Sequence, residues 1–184
     1  VGDFPAYIVS PVAGPNFVGF VAAAFYGTNT IATAVWAHLI SRGALSRRSA
    51  YMMAVLCVVA FLVIAALWPA PQNFVKQGDT WEHVRSPRPQ EVVWVFLLSA
   101  LFAVGDAFLE SGPIATLQNF FLGSRAAVPA MANAKLWQSL GYATQFVLGA
   151  SLGGGPVLRA SLLAGFMGAS AVSVLLLDRR APVQ

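Results

Sequence analysis

The sequence predicts an all-α membrane protein, one transmembrane domain of five spanning helices at about 17–40, 50–68, 92–117, 131–152 and 160–177. Three observations predict it. Apolar residues make up 58% of the 184 and charged residues only 10%, whereas a soluble domain carries about 25% charged residues. The apolar residues are gathered into five long runs, on the scale of the roughly 20 residues that a helix needs to cross a hydrocarbon layer. Between the runs lie short segments rich in Gly, Pro and Arg, which punctuate helices.

Taken in order, residues 1–16 hold Pro5, Pro11, Gly14 and Pro15, and this density of breakers predicts a loop. The chain starts at Val1 without an initiator methionine, so an upstream part is expected. The first span, 17–40, has Tyr26, Thr28, Asn29, Thr30 and Thr33 in its middle and His38 near its end. Asn29 and Thr33 share a face and are placed for hydrogen bonds to a neighbouring helix, with a substrate role for Asn29 as the alternative. The tight loop 41–49 carries Arg42, Arg47 and Arg48, and the uncharged second span ends at Trp68 and Pro69 as an interfacial anchor and stop. Residues 69–91, with four prolines, a glycine and mixed charges, read as an exposed extramembrane loop.

The third span is the one around which the others are organised, because Asp106 and Glu110 lie inside it. Carboxylates in a spanning segment are rare and raise a functional question by default. At about 1.5 Å per residue Asp106 lies roughly 20 Å from Val92, past the middle of a hydrocarbon layer, and Glu110 follows one turn later on the same face. Pro113 removes a backbone donor just beyond and predicts a kink. Two readings stand. In one, the acids are structural: Asp106 accepts from Asn29, Ser99 or Gln145, and Glu110 pairs with Lys135. In the other, they face a water-filled cavity and carry a coupling proton or cation.

In the fourth span Lys135, Gln138, Tyr142 and Gln145 fall on one stripe, while Gly141, Gly149 and Gly153 offer a close-packed face. The fifth span has small residues Gly165, Ala169 and Ser173 along one edge and ends in Asp178, Arg179 and Arg180. Seven Lys/Arg fall on one predicted side and four on the other. The positive-inside rule then puts the C-terminus in the cytoplasm and residue 1 on the outer or lumenal side, in either the plasma membrane or an endomembrane.

The same reading excludes other classes. Basic residues beside apolar runs report topology, and without a basic stripe no nucleic-acid partner is expected. Cys57 is solitary within an apolar run, so neither a disulfide framework nor a thiol metal site is expected. No Ser/His/Asp set, phosphate loop or metal-ligand cluster occurs, and two acids on one helix cannot meet as an aspartic dyad does. No enzyme activity, catalytic residue, metal or cofactor is expected.

Three ordered stretches resemble the Unc-93-like family of the major facilitator superfamily. FVGFVAAAFYGTNTIATAVWAHLISR at 17–42 is similar to the family's eighth helix, GDAFLES at 105–111 to its Gly-Asp-Ala motif, and NAKLWQSLGYATQF at 133–146 to a segment of its eleventh helix. Gly105, Asp106, Trp137, Gln138 and Gly141 match the motifs; at Glu110, Ser111 and Gly112 the family has an Asn-Thr-Gln triplet instead. The resemblance implies helices eight to twelve of a twelve-helix fold, the C-terminal half lacking its first helix. It also implies a regulator or chaperone of other membrane proteins, such as ion channels or receptors, with the lipid bilayer and the missing N-terminal half as further partners. The alternative it leaves is a proton- or cation-coupled secondary transporter.

Overall fold

The computed structural model describes residues 4–151 and Gly165, and these are mostly helical. A π-helical turn, Pro5–Val9, runs into α1, Ser10–Ala13, and a 3₁₀ turn, Pro15–Phe17, leads into α2, Val18–Ser41. There follow α3, Arg47–Leu67; strands β1, Phe74–Gln77, and β2, Thr80–His83; α4, Pro89–Phe120; and α5, Ala127–Ser151.

Three segments are long and apolar enough to cross a membrane: Pro15–Ser41, Arg47–Leu67 and Pro89–Phe120. A membrane-embedded, all-α chain is thereby supported, with three such segments among the described residues against the five expected. The fourth, α5, has the length at 25 residues, but Asn133, Lys135, Gln138 and Gln145 dilute its apolar content. The fifth expected span, 160–177, lies outside the described residues.

One further expectation is corrected, and another gains detail. Residues 4–13 are helical where a loop was expected: Pro5 opens the first turn, where its missing N–H has no helical partner to lose, and Pro11 falls in the first turn of α1. The segment 69–91 holds a two-stranded antiparallel hairpin, in which Phe74 faces His83 and Gln77 faces Thr80. Gly78, with φ of +60°, takes the first of its two turn positions, where an L side chain would be strained. Helix α4 runs through Pro113, where a kink was expected, and continues for a further two turns.

Helix α4 is the central element, with α2 and α3 packed along it and α5 leaning on its end. Its start is set by Pro89 in the first turn and by the Glu91 carboxylate, which accepts from the backbone N–H of Arg88 at 2.9 Å. Helix α3 is capped by the Ser46 hydroxyl, which accepts from the N–H of Ser49 at 3.0 Å.

The core falls into two clusters joined by an aromatic stack. Toward the 41–47 turn, Ala32, Trp36, Ala50, Tyr51, Ala54, Ala107 and Phe108 are buried together. Toward the hairpin, Val9, Val12, Val21 and Val95 form the second cluster. Between them Phe102 lies 4.8 Å from Phe61 and 5.6 Å from Phe25, ring centre to ring centre. Small residues let α3 and α4 approach: a Cβ added at Gly105 would stand 2.6 Å from Val58 Cγ2 and 2.7 Å from the carbonyl oxygen of Ala54.

Helices α2 and α4 are also joined by Trp36, whose indole N–H donates to the Val104 carbonyl at 3.1 Å. Trp36→Phe keeps a ring against Phe108 and removes the donor. A loss of about 1 kcal/mol is expected, since the carbonyl keeps its helical partner. Thermal unfolding of the purified protein in detergent checks this, as a fall of a few degrees.

Candidate functional site

The polar centre of the bundle is built by α2 and α4. Asn29 Nδ2 donates to Asp106 Oδ2 at 3.2 Å, a contact spanning 77 positions of sequence. Asn29 belongs to a polar patch on an otherwise apolar helix, and its own carbonyl accepts from the Thr33 hydroxyl at 2.9 Å. Thr33 thus bonds back to its own helix and does not cross to α4, which corrects the expectation for that residue. Of the three donors expected for Asp106, Asn29 supplies the bond. Ser99 is 2% exposed, and its hydroxyl has no hydrogen-bond partner among the described residues. Seven residues separate it from Asp106, about 10 Å along the helix, which is out of reach. The Gln145 side chain lies outside the described residues.

Asp106 is half-buried, whereas Glu110, one turn further along α4, is exposed. The expected pair between Glu110 and Lys135 does not form. Lys135 Nζ donates instead to Oε1 of Gln138 at 2.8 Å, a local bond along α5, and the salt bridge among the described residues joins Arg85 to Glu91. Lys135 and Gln138 thus satisfy each other along α5, while the side chains of Tyr142 and Gln145 lie outside the described residues.

The motif residues divide in the same way. Gly105 and Asp106 sit at the packed centre, Gly105 toward α3 and Asp106 toward Asn29. Trp137 is 65% exposed and lines, with Leu117, Phe121, Pro129 and Asn133, an apolar cleft of about 500 Å³ between the ends of α4 and α5. No described atom comes within 4 Å of a Cβ added at Gly141, so the close-packed face expected there has no neighbour among the described residues.

One polar cluster was not anticipated from the sequence. Asn73, completely buried, ties the hairpin to α1 and to the start of α4. Its Nδ2 donates to the Val12 carbonyl and to Glu91 Oε2, each at 2.8 Å, and its Oδ1 accepts from Arg85 Nε at 2.9 Å. Its backbone N–H donates to Pro11 at 2.9 Å, and its carbonyl accepts from the N–H groups of Val84 and Arg85. Arg85 Nη2 completes the ring by donating to Glu91 Oε1 at 2.5 Å. Beside it Gly14, at φ of +101°, leaves room for the Phe74 ring, 2.9 Å from where a Cβ would lie. The usable signal was the pairing of Arg85 with Glu91 across a short polar segment, which counts of charge do not reveal.

Among the described residues no group of His, Cys, Asp and Glu is arranged to hold a metal ion. No family model, curated protein or solved structure matches the chain. The class that fold and site define is thus a membrane-embedded helical protein with a polar Asn29–Asp106 contact at its centre.

Proposed function

We propose that the chain is a transporter-like scaffold of the Unc-93-like type that acts by binding other membrane proteins, an ion channel being the partner that the resemblance suggests. The observation that carries this reading is the contrast between the two acids. Asp106 is engaged by Asn29 and fastens α2 to α4. Glu110 is exposed on an apolar helix with no cation against it among the described residues. A carboxylate on a lipid-facing surface is costly, and a donor supplied by a second polypeptide relieves that cost. The missing half of a twelve-helix fold and a separate membrane protein both offer one. In this reading the arginine-bearing turn at 42–48 faces the cytoplasm, in keeping with the positive-inside rule.

A second reading rests on the same spacing. Two carboxylates one turn apart, one of them half-buried, suit a proton- or cation-coupled transporter whose other wall comes from the missing half. The test uses the longest natural chain in reconstituted vesicles, with Asp106→Asn and Glu110→Gln scored for proton or cation flux and for co-purifying membrane proteins. The scaffold reading expects no flux in the parent and a loss of partner recovery with Glu110→Gln. It also expects Asp106→Asn to be tolerated, because an amide oxygen still accepts from Asn29. Flux that both substitutions abolish, with partner recovery intact, selects the transporter.

A further inference from the structure

The two ends of the bundle treat their charges differently. At the hairpin end, Lys76, Arg85 and Arg88 are matched by Asp79, Glu82 and Glu91, and Gln77–Glu82 and Arg85–Glu91 contacts tie several of them together. At the other end, the turn between α2 and α3 carries Arg42, the first turn of α3 carries Arg47 and Arg48, and the turn between α4 and α5 carries Arg125. The two turns share one face of the bundle, because the Arg47 guanidinium lies against the side-chain amide of Asn119 in the last turn of α4, whose oxygen accepts from it once the amide is turned over. All four arginines are exposed, and no carboxylate of the described residues lies at this end. The nearest along α4, Glu110, is ten residues before Phe120, about 15 Å of helix. Beside these arginines along the chain, Phe120 and Leu122 at the end of α4 are apolar and exposed, 46% and 72%.

We propose that this end is a docking surface for anionic phospholipids, whose phosphates sit among Arg42, Arg47, Arg48 and Arg125 while their acyl chains lie along Phe120 and Leu122. The guanidinium is planar and always charged, and it donates two parallel hydrogen bonds to a phosphate. Exposed arginines at the ends of spanning helices stand at headgroup level, where an anionic leaflet attracts them. Arg42, Arg48 and Arg125 are exposed and form no salt bridge among the described residues, so these guanidiniums need not give up an internal carboxylate to bind. Arg47, held by Asn119, is the oriented member of the set.

The test compares the full chain in nanodiscs of phosphatidylcholine alone with nanodiscs containing phosphatidylglycerol as the minor lipid, by thermal unfolding and by native mass spectrometry of retained lipid. Phosphatidylglycerol is expected to raise the melting temperature and to be retained preferentially, and raised salt is expected to shrink both effects. In the Arg42→Gln/Arg48→Gln/Arg125→Gln variant, which leaves Arg47 on Asn119, melting in phosphatidylcholine is expected to be unchanged. Its affinity for phosphatidylglycerol is expected to fall by about fivefold for each arginine removed. Lys76→Gln, at the opposite end, is expected to keep the full effect. Equal melting of the wild type in the two lipids without preferential retention overturns the proposal, and so does a triple variant that keeps the wild-type preference. If inorganic phosphate added to phosphatidylcholine discs reproduces the stabilisation, the ligand is a free anion and the lipid proposal fails. If the triple variant does not fold, lipid retention by the wild type with and without salt decides.

Discussion

Gly105→Leu is expected to leave no correctly packed protein: after extraction in mild detergent the variant runs as aggregate in size exclusion, at expression that matches the wild type. The reason is local and severe. The first atom of any side chain at this position meets Val58 Cγ2 at 2.6 Å and the backbone oxygen of Ala54 at 2.7 Å. Val58 has other rotamers; the Ala54 carbonyl belongs to helix α3 and cannot turn away without breaking its ladder. Helices α3 and α4 must therefore separate, and with them the Phe61–Phe102 stack and the burial of Ala54 and Ala107. Between helices in lipid the attraction is van der Waals contact at close range, so a separation of even one or two ångströms removes most of it. Gly105→Ala should show a graded version, an overpacking loss of about 1–3 kcal/mol that lowers the melting temperature without abolishing the fold. Equal melting of Gly105→Ala and wild type contradicts this account of the α3–α4 contact.

Gly105 also shows where the sequence stops being informative. The sequence singled it out beside Asp106 as part of an expected motif, yet nothing in the chain says that its neighbour across the interface is Ala54. The spans at 17–40, 50–68 and 92–117 were legible because hydropathy over about 20 residues is a property of one segment and needs no partner. The Asn29–Asp106 contact was legible in part, as one of three donors the sequence offered Asp106, for a related reason. Two polar side chains facing out of apolar helices have few alternatives to each other. Glu110 and Lys135 obeyed the same logic and failed it, because a local partner, Gln138, lies within reach of Lys135 along α5. In polar segments alternatives multiply. Asn73 is one of many loop residues that look solvated, and only the fold reveals that the Val12 carbonyl, Arg85 and Glu91 converge on it. The hairpin itself was signalled weakly by Gly78-Asp79 between short runs containing Val75 and Trp81, a turn pattern easily read as loop.

Asn73→Asp is expected to release the hairpin from the bundle. The substituted side chain has the same shape and loses its two donors, so the Val12 carbonyl is left without that bond and a carboxylate is placed against Glu91 Oε2, 2.8 Å from the atom it replaces. One change thus deletes two hydrogen bonds in a fully buried position and adds a repulsion between like charges. Arg85, which donates to both Asn73 and Glu91, offsets part of that repulsion. Buried hydrogen bonds lost with an unsatisfied acceptor left behind typically destabilise by about 1–3 kcal/mol each, enough to open a subsegment whose own two strands are marginal in isolation. The opening should be local, because α2, α3 and α4 are held together by the aromatic stack and the Ala54–Gly105 contact and not by Asn73. Hydrogen exchange is therefore expected to rise across 73–85 and across 9–14, where Pro11 and Val12 lose their anchor, while amides in the middle of α4 keep wild-type protection. The effect should ease as the pH is lowered, since protonating either carboxylate removes the repulsion and restores a donor. Unchanged exchange in 73–85 would show that the strands and the Phe74–Gly14 contact hold the hairpin without Asn73, and faster exchange throughout α4 would show that the hairpin supports the whole bundle.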